Sequence, residues 1–422
     1  MKKVKMPFGE SCVELEVPDD ASVCESAYMP PLPDPVAAIE DALTHPLGTP
    51  PLPEVARGRR SVAIVINDIT RPSPSRLMVE AILSQLSGAG IGRAAVTIVI
   101  ATGNHRAASA AEVEEMVGPE VARSVRVVSH DCQDSANMSC FGETKRGLPV
   151  YVNKAVGEAD LKILTGIITP HHCGGYSGGR KSIVPGVAGY ETIRVHHSPP
   201  IRRLEPVTGI MKGNTFHEEA VAAARLVGVD FILNVIKNGD GAIAGVVAGE
   251  LEGAHEHGVS ICEKGWAISF EHRYDIVVVS PGKYPKDFDL HQAQKAVSAA
   301  EAVTAEGGII ILVAECRAGV GKFENLLKRA SHPQEIIDRF IREGQTKDHL
   351  SKAFMCARAL VKHSVIVVCK GVSKEALEDM FFEYAPSLEQ AFERARRRKG
   401  KGARILVLPH AVDCVPVVKT ES

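Results

Sequence analysis

No apolar run in this chain approaches the ~20 residues that a membrane-spanning helix needs. The opening residues, MKKVKMPFGESC, are basic but lead into no apolar stretch, so a secretory signal is not expected. The ten cysteines are scattered, with no CxxC pair and no zinc-finger spacing. That excludes the usual zinc modules and predicts a reduced, cytoplasmic protein. Charge of either sign is not in excess: 49 basic and 51 acidic residues leave a net charge of −2. A nucleic-acid or membrane-surface role is therefore not expected. There is no short-period repeat and no long low-complexity segment. What is present is the composition of a soluble globular protein, 45% hydrophobic and 24% charged, over 422 residues. That length is too great for one ordinary core and predicts two or three domains.

Strands and helices alternate from Ser61 onward. Strands are predicted at Ser61–Asn67, Val96–Ala101, Val125–Ser129 and Leu161–Ile168, with helical patterns at Ser75–Ser87 and Ala110–Val117. Before them, Met29 to Pro35 is too rich in proline to be helical and is expected to run extended. A second series begins near Tyr274. Its strands are Asp275–Ser280, Gly308–Ala314, Val365–Cys369 and Arg404–Leu408. Its helical patterns are Gln292–Ala305, Pro333–Glu343, Leu350–Val361 and Ser387–Arg397. This rhythm predicts an α/β protein of two doubly wound domains, residues 1–268 and 269–422, with mainly parallel sheets and a ligand cleft between the domains. The basic run Arg394 to Lys399 closes a mixed-charge helix and reads as a solvated helix end.

Chemistry concentrates between Thr165 and Ser198, in TGIITPHHCGGYSGGRKSIVPGVAGYETIRVHHS. Histidines supply proton transfer and metal ligation, lysine a nucleophilic nitrogen, and glycines a close backbone approach. The segment SGGRKS is not a phosphate loop, because Arg180 stands where that motif requires glycine. Nor does a GxGxxG join a strand to a helix, so NAD binding has no support. Two further loops leave strand ends. Asp68-Ile69-Thr70-Arg71-Pro72-Ser73-Pro74 offers an anion site, with Ser73 a good helix cap and Pro74 a good first helical residue. The alternative is a structural turn with Asp68 paired to Arg71. Ala101-Thr102-Gly103-Asn104-His105-Arg106 puts His105 where a catalytic base would sit, although a histidine satisfied by backbone fits as well. His171 and His197 read as functional, His172 and His196 as structural. In the second series Gln292 and Lys295 are three residues apart and share a helix face, either solvated or turned to a ligand.

Together these motifs resemble the lactate racemase family, the nickel-pincer nucleotide enzymes. The resemblance runs over nearly the whole chain. It takes in the Pro30–Pro35 lead, the Asp68-to-Pro74 loop, Ala101-Thr102-Gly103-x-His105-Arg106 and His130-Asp131. It continues through PHHxxGYSGGRKSIVPGV, the His196-His197 pair and the Gln292-to-Lys295 segment. It implies a cofactor, pyridinium-3-thioamide-5-thiocarboxylic acid mononucleotide, that holds nickel in a pincer. Lys181 is then the attachment residue and His197 the nickel ligand. Asp68, Thr70, Gly178 and Gly179 are implied to bind the cofactor. His105 and His171 are implied to transfer protons, and Arg71, Gln292 and Lys295 to hold the substrate. The implied reaction inverts C2 of a 2-hydroxy acid by reversible hydride transfer through a 2-keto acid.

The resemblance also implies cofactor-synthesis proteins as partners, and it leaves a homodimer open. It departs from the lactate enzyme at two points. An aromatic residue precedes the glutamine there, where this chain has His291. That enzyme also carries a tryptophan in the second domain's helical region, whereas the one tryptophan here is Trp266, with Phe354 or Met355 as candidates for its place. A bulkier, aromatic, acidic or sugar-acid substrate fits those departures. Two rival readings stand beside this one. One is a metallohydrolase that uses His105, His171 and His197 as ligands. The other is a protein that binds the nucleotide without catalysis.

Overall fold

The structure, a computed structural model, describes residues 1–24, 29–346 and 349–418. It opens with an antiparallel hairpin, β1 (Lys2–Phe8) and β2 (Ser11–Val17), and a short strand, β3 (Ser22–Val23). The chain divides into two compact units. One spans Tyr28–Arg203 and Ile210–Lys264; the other collects Met1–Ala27, Leu204–Gly209 and Gly265–Ser422.

The first unit is built on β4 (Val62–Asn67), β5 (Val96–Ala101), β6 (Arg126–Ser129), the hairpin β7 (Met138–Glu143) and β8 (Pro149–Asn153), and β9 (Leu161–Ile168). A two-residue ribbon of β10 (Pro170–His171) and β11 (Gly175–Tyr176) follows, then β12 (Phe231–Lys237) and β13 (Ile243–Gly249). Six of these strands form one sheet in the order β13-β12-β9-β4-β5-β6, parallel except for the β12–β13 pair. Strands β4 and β9 are near-continuous apolar runs because both of their faces are covered. Val62, Ile64 and Ile66 pack toward the helices Pro35–Thr44 and Ser75–Gly88. Ala63, Val65 and Leu164 pack toward Thr215–Val227 and the loop after β11.

The second unit contains β14 (Ala267–Phe270), β15 (Tyr274–Val279), β16 (Thr304–Val313), β17 (Ser364–Val368), β18 (Glu383–Tyr384), β19 (Ile405–Leu408) and β20 (Val415–Val418). Its six-stranded sheet is all parallel, in the order β18-β17-β16-β15-β19-β3. Both sheets are doubly wound and mainly parallel, as the sequence predicts. Both apolar series fall within a residue or two of their expected strands, except that β16 begins at Thr304, inside the expected Gln292–Ala305 helix.

The expected division into residues 1–268 and 269–422 differs from these units at the N-terminus. Met6, Phe8, Leu15 and Val17 bury in one core with Ile309, Ile311, Val313 and Leu388. β3 adds to the edge of β19, with Leu406 opposite Ser22. Apolar burial and strand pairing therefore join the hairpin to the C-terminal unit. Two local expectations also fail. Pro35 is the first residue of a helix rather than the end of an extended lead, because Asp34 caps the amides of Val36 and Ala37 and proline is tolerated there. The helix after β4 begins at Ser75, so Pro74 precedes it, and the Ser73 hydroxyl is buried without a partner instead of capping.

Candidate active site

Strands β4, β5 and β9 are neighbours in one parallel sheet, so the loops at their carboxyl ends emerge side by side, where open α/β sheets bind ligands. The loop after β4 turns on a hydrogen bond from the Arg71 amide to the Asp68 carbonyl, 3.0 Å. This places the buried Asp68 carboxylate against the loop after β5. Asp68 Oδ2 lies 2.8 Å from His105 Nδ1, and Thr70 Oγ1 donates to both carboxylate oxygens at 3.0 Å. With a carboxylate as partner, His105 carries its proton on Nδ1 and keeps the Nε2 lone pair, a tautomer inferred from its partners. The alternative of an Asp68–Arg71 pair is not formed. Arg71 donates to the Thr70 carbonyl at 3.3 Å and makes no ion pair among the described residues.

His171 ends β10. Its Nδ1 accepts from the amides of Cys173 at 3.2 Å and Gly174 at 3.1 Å. An accepting Nδ1 leaves the proton on Nε2, the opposite tautomer to His105. His172 stacks on it with ring centroids 4.5 Å apart.

The loop after β11 is organised around Arg180, which is 1% exposed. Its Nη2 donates to the carbonyls of Gly174 (2.7 Å) and Tyr176 (2.8 Å), and its Nη1 to that of Gly178 (3.2 Å). Nη1 also lies 2.9 Å from His255 Nε2, which is itself 2.8 Å from the Ser177 carbonyl. Among the described residues Arg180 pairs with no carboxylate, and its Nε is buried without a partner. Burial pulls Arg180 down to about 9, which leaves it charged at neutral pH. Lys181, next in the chain, is half-buried, and its amine makes no hydrogen bond or ion pair among the described residues. Burial first, then the positive charges of Arg180 and Arg71, hold that amine well below the ordinary lysine range.

Gly178 and Gly179 have positive φ, +81° and +50°. A Cβ at Gly178 would stand 2.8 Å from Asn234 Oδ1, and one at Gly179 would stand 2.9 Å from the His255 ring. Their close backbone approach is thus to the protein's own side chains. Asn234 Oδ1 accepts the Gly179 amide at 2.8 Å and pins the loop to β12.

His197 caps the C-terminus of the helix Tyr190–His196, and its Nδ1 lies 2.9 Å from the Ile193 carbonyl. Donation there leaves the lone pair on Nε2, the arrangement that orients metal-ligating histidines. His196 is fully buried, with Nε2 2.8 Å from the Phe216 carbonyl, and is structural, as expected. His130 is likewise buried, with Nε2 2.9 Å from the Ala188 carbonyl.

Gln292 and Lys295 belong to the other unit. Asp289 caps the helix Leu290–Glu301 by accepting the Gln292 amide, and Lys295 Nζ donates to Gln292 Oε1 at 2.7 Å. The shared face expected from their spacing is therefore formed. His291 is half-buried, with an unpartnered Nδ1. Burial and the nearby Lys352 and His349 push it down to about 4. Phe354 and Met355 are both packed into the unit's core. Among the described residues no three or more of His, Cys, Asp or Glu are grouped to hold a metal ion. The three-histidine site of the metallohydrolase reading is therefore not formed.

Sequence reading passed over Arg180, except as a missing glycine, and passed over Asn234 and His255. Asn234 did carry a signal: it is the one polar residue in the apolar core of FILNVIK.

Sequence models of the lactate racemase N-terminal and C-terminal domains match residues 8–208 and 270–417. The lactate racemase of Lactiplantibacillus plantarum is 35% identical over 382 residues, 89% of this chain and 90% of that protein. The lactate racemase of Thermoanaerobacterium thermosaccharolyticum is 32% identical over 425 residues, covering 98% and 99%. The structure of the T. thermosaccharolyticum lactate racemase apoprotein superposes with a TM-score of 0.88 at 31% identity, over 99% of this chain and all of that one. A Thermotoga maritima protein shares the fold alone, with a TM-score of 0.65 at 16% identity. Two matched domains and near-complete coverage by enzymes above 30% identity place this chain in the lactate racemase family, as an isomerase of the racemase kind.

Proposed function

We propose that this racemase inverts C2 of a 2-hydroxy acid with a nickel-pincer nucleotide joined to Lys181 and ligated through His197. The observation that carries this reading is the Asp68–His105 pair at a strand end, in the same unit as Lys181, whose amine makes no hydrogen bond or ion pair among the described residues. The donor set fits the cofactor. His197 would hold nickel through the lone pair on Nε2, an imidazole donor suited to that metal, and a Lys181 amine without a hydrogen bond or ion pair among the described residues, held below the ordinary lysine range, suits a covalent link. When bound, the pincer nucleotide supplies a two-electron acceptor for the substrate's α-hydrogen.

The protein's own groups do the rest. Loss of that hydrogen as a proton would build a carbanion beside a carboxylate; loss as hydride, with the hydroxyl proton taken by a base, leaves an uncharged ketone beside it. His105 Nε2 takes the hydroxyl proton while Asp68 holds the ring in the tautomer that can do so. Arg71 holds the substrate's carboxylate. The opposite enantiomer presents its hydroxyl in another direction, which is the reason for a second histidine. His171 starts from the opposite tautomer, with Nε2 protonated, and reaches a base state only when Nδ1 releases the Cys173 and Gly174 amides. The substrate is a small-molecule 2-hydroxy acid. Cofactor-synthesis proteins are partners in maturation, and the setting is cytoplasmic.

Co-expression with cofactor-synthesis proteins tests this. Intact mass should show a sulfur-bearing pyridinium nucleotide that maps to Lys181, with nickel in the same sample. Single-enantiomer 2-hydroxy acids should then racemise. An unmodified Lys181 without nickel, despite working synthesis proteins, would sink the reading.

A further inference from the structure

We propose that Arg180 is a positioning residue for cofactor attachment: its buried guanidinium, bonded to three carbonyls and paired with no carboxylate among the described residues, sets a like charge beside the Lys181 amine and favours its nucleophilic form. The inference rests on the reading of Lys181 as the attachment point and adds a reason why that lysine, among all others in the chain, reacts.

A guanidinium this deeply buried normally comes with a carboxylate, because an unpaired charge out of water is costly. Here three carbonyls of one turn, those of Gly174, Tyr176 and Gly178, take that part. Carbonyls satisfy the N–H groups but leave the net charge in place. The charge therefore acts on its surroundings. The groups that bear most on Lys181 come from three places in its own unit. Arg180 on the same loop and Arg71 from the loop after β4 disfavour the ammonium form, and Cys173 acts weakly the other way. His196, at the end of Tyr190–His196, also faces Lys181 and is itself neutral in its buried site. Among the described residues no carboxylate stands among the groups that act most on Lys181.

The chemistry needs this state. An ammonium has no lone pair. A neutral amine attacks the thiocarboxyl carbon of the nucleotide, and a C–N bond forms. The oxygen leaves as water, carrying one proton from nitrogen and one from the thiol, and a thioamide remains. No electrons are exchanged and no further reagent is consumed.

The test uses the full chain without cofactor. Trace acylation with a small amine reagent is followed across pH by mass spectrometry of the Lys181 peptide, with the exposed Lys154 as internal reference. In the unaltered chain the Lys181 half-point should lie well below that of Lys154. Arg180→Gln should raise it by about one pH unit or more, the range expected for loss of a nearby like charge. Arg180→Lys, which keeps a charge but loses the fork to the three carbonyls, should hold the half-point low even where it loosens the loop. A role in loop structure alone would change how much Lys181 is labelled without moving the half-point. Should Arg180→Gln fail to fold, Arg180→Lys and Arg71→Gln still decide: the first should keep the low half-point, and the second should raise it by less. An ordinary half-point in the unaltered chain overturns the proposal, as does a half-point unmoved in Arg180→Gln. Separately, a nickel-loaded protein whose Lys181 peptide keeps its native mass removes the attachment reading itself, whatever the profile shows.

Discussion

Arg180 and Arg358 are buried in different units of this chain, and they are treated in opposite ways. Arg358, in the C-terminal unit, meets Glu301: Nε lies 2.9 Å from both carboxylate oxygens and Nη2 2.8 Å from one of them. Its Nη1 donates to the Leu204 carbonyl at 2.9 Å. The charge is cancelled where it stands. Arg180 has its hydrogen bonds without that cancellation, and its field reaches Lys181, His217 and His255. The contrast separates two uses of one side chain. A neutralised guanidinium is a fastening; an unneutralised one sets the protonation of its neighbours.

The largest expected effect that sharpens this contrast is at Lys181. Lys181→Ala should abolish covalent loading and reduce racemisation to background, as read by intact mass and chiral assay. An active, covalently loaded Lys181→Ala protein would break the assignment. Next come His105→Ala and Asp68→Asn, which should retain the cofactor by mass while kcat falls by about 10²–10⁴-fold. Retention of normal kcat in Asp68→Asn would show that the tautomer of His105 is not set by that carboxylate.

The third effect is on stability and concerns the other arginine. Arg358→Ala leaves Glu301 buried and unpaired, which should cost about 3–5 kcal/mol by denaturant unfolding. Replacing both partners with methionine should recover most of that loss. A cost of the same size in the double variant would mean that the pair's packing, rather than its charge balance, matters.

The smallest effect is a pH dependence. Burial lowers His217 to about 3 and His363 to about 4. Unfolding restores ordinary values near 6.5, so the unfolded chain binds more protons between the two. Stability from these groups is present above pH ~6.5 and is lost as pH falls through their folded values. Each should account for on the order of 1 kcal/mol and a few degrees of Tm between pH 7 and 4. A flat Tm over that range, or one unchanged in its slope by His363→Phe, would contradict it.

Much of this was legible in the sequence. Apolar runs gave away β4, β5 and β9 because parallel strands are buried on both faces, and the loops after them had to reach the same edge. Asp68 and His105 could be singled out individually. Their pairing could not, since it depends on β4 and β5 being neighbours in the sheet. Arg180 was legible only as a residue that spoils a phosphate loop; its role comes from three carbonyls that turn toward it. The hairpin's membership was hidden for another reason. Its alternation of apolar and polar residues says that one face is covered, but not by which part of the chain.

That hairpin has a consequence for how the molecule is made. β3 pairs with β19, so the earliest residues of the chain finish one side of a sheet whose other strands come near its end. During synthesis, the unit that carries Lys181 can close its core while Met6, Phe8, Leu15 and Val17 still wait for their partners. Folding of the second unit is thus a ring closure over almost the entire polypeptide, late and slow by the ordinary dependence of rate on contact separation. Until it closes, an amphipathic hairpin and an unpaired strand edge stand open on the nascent chain. Chaperone demand and aggregation on truncation should concentrate there.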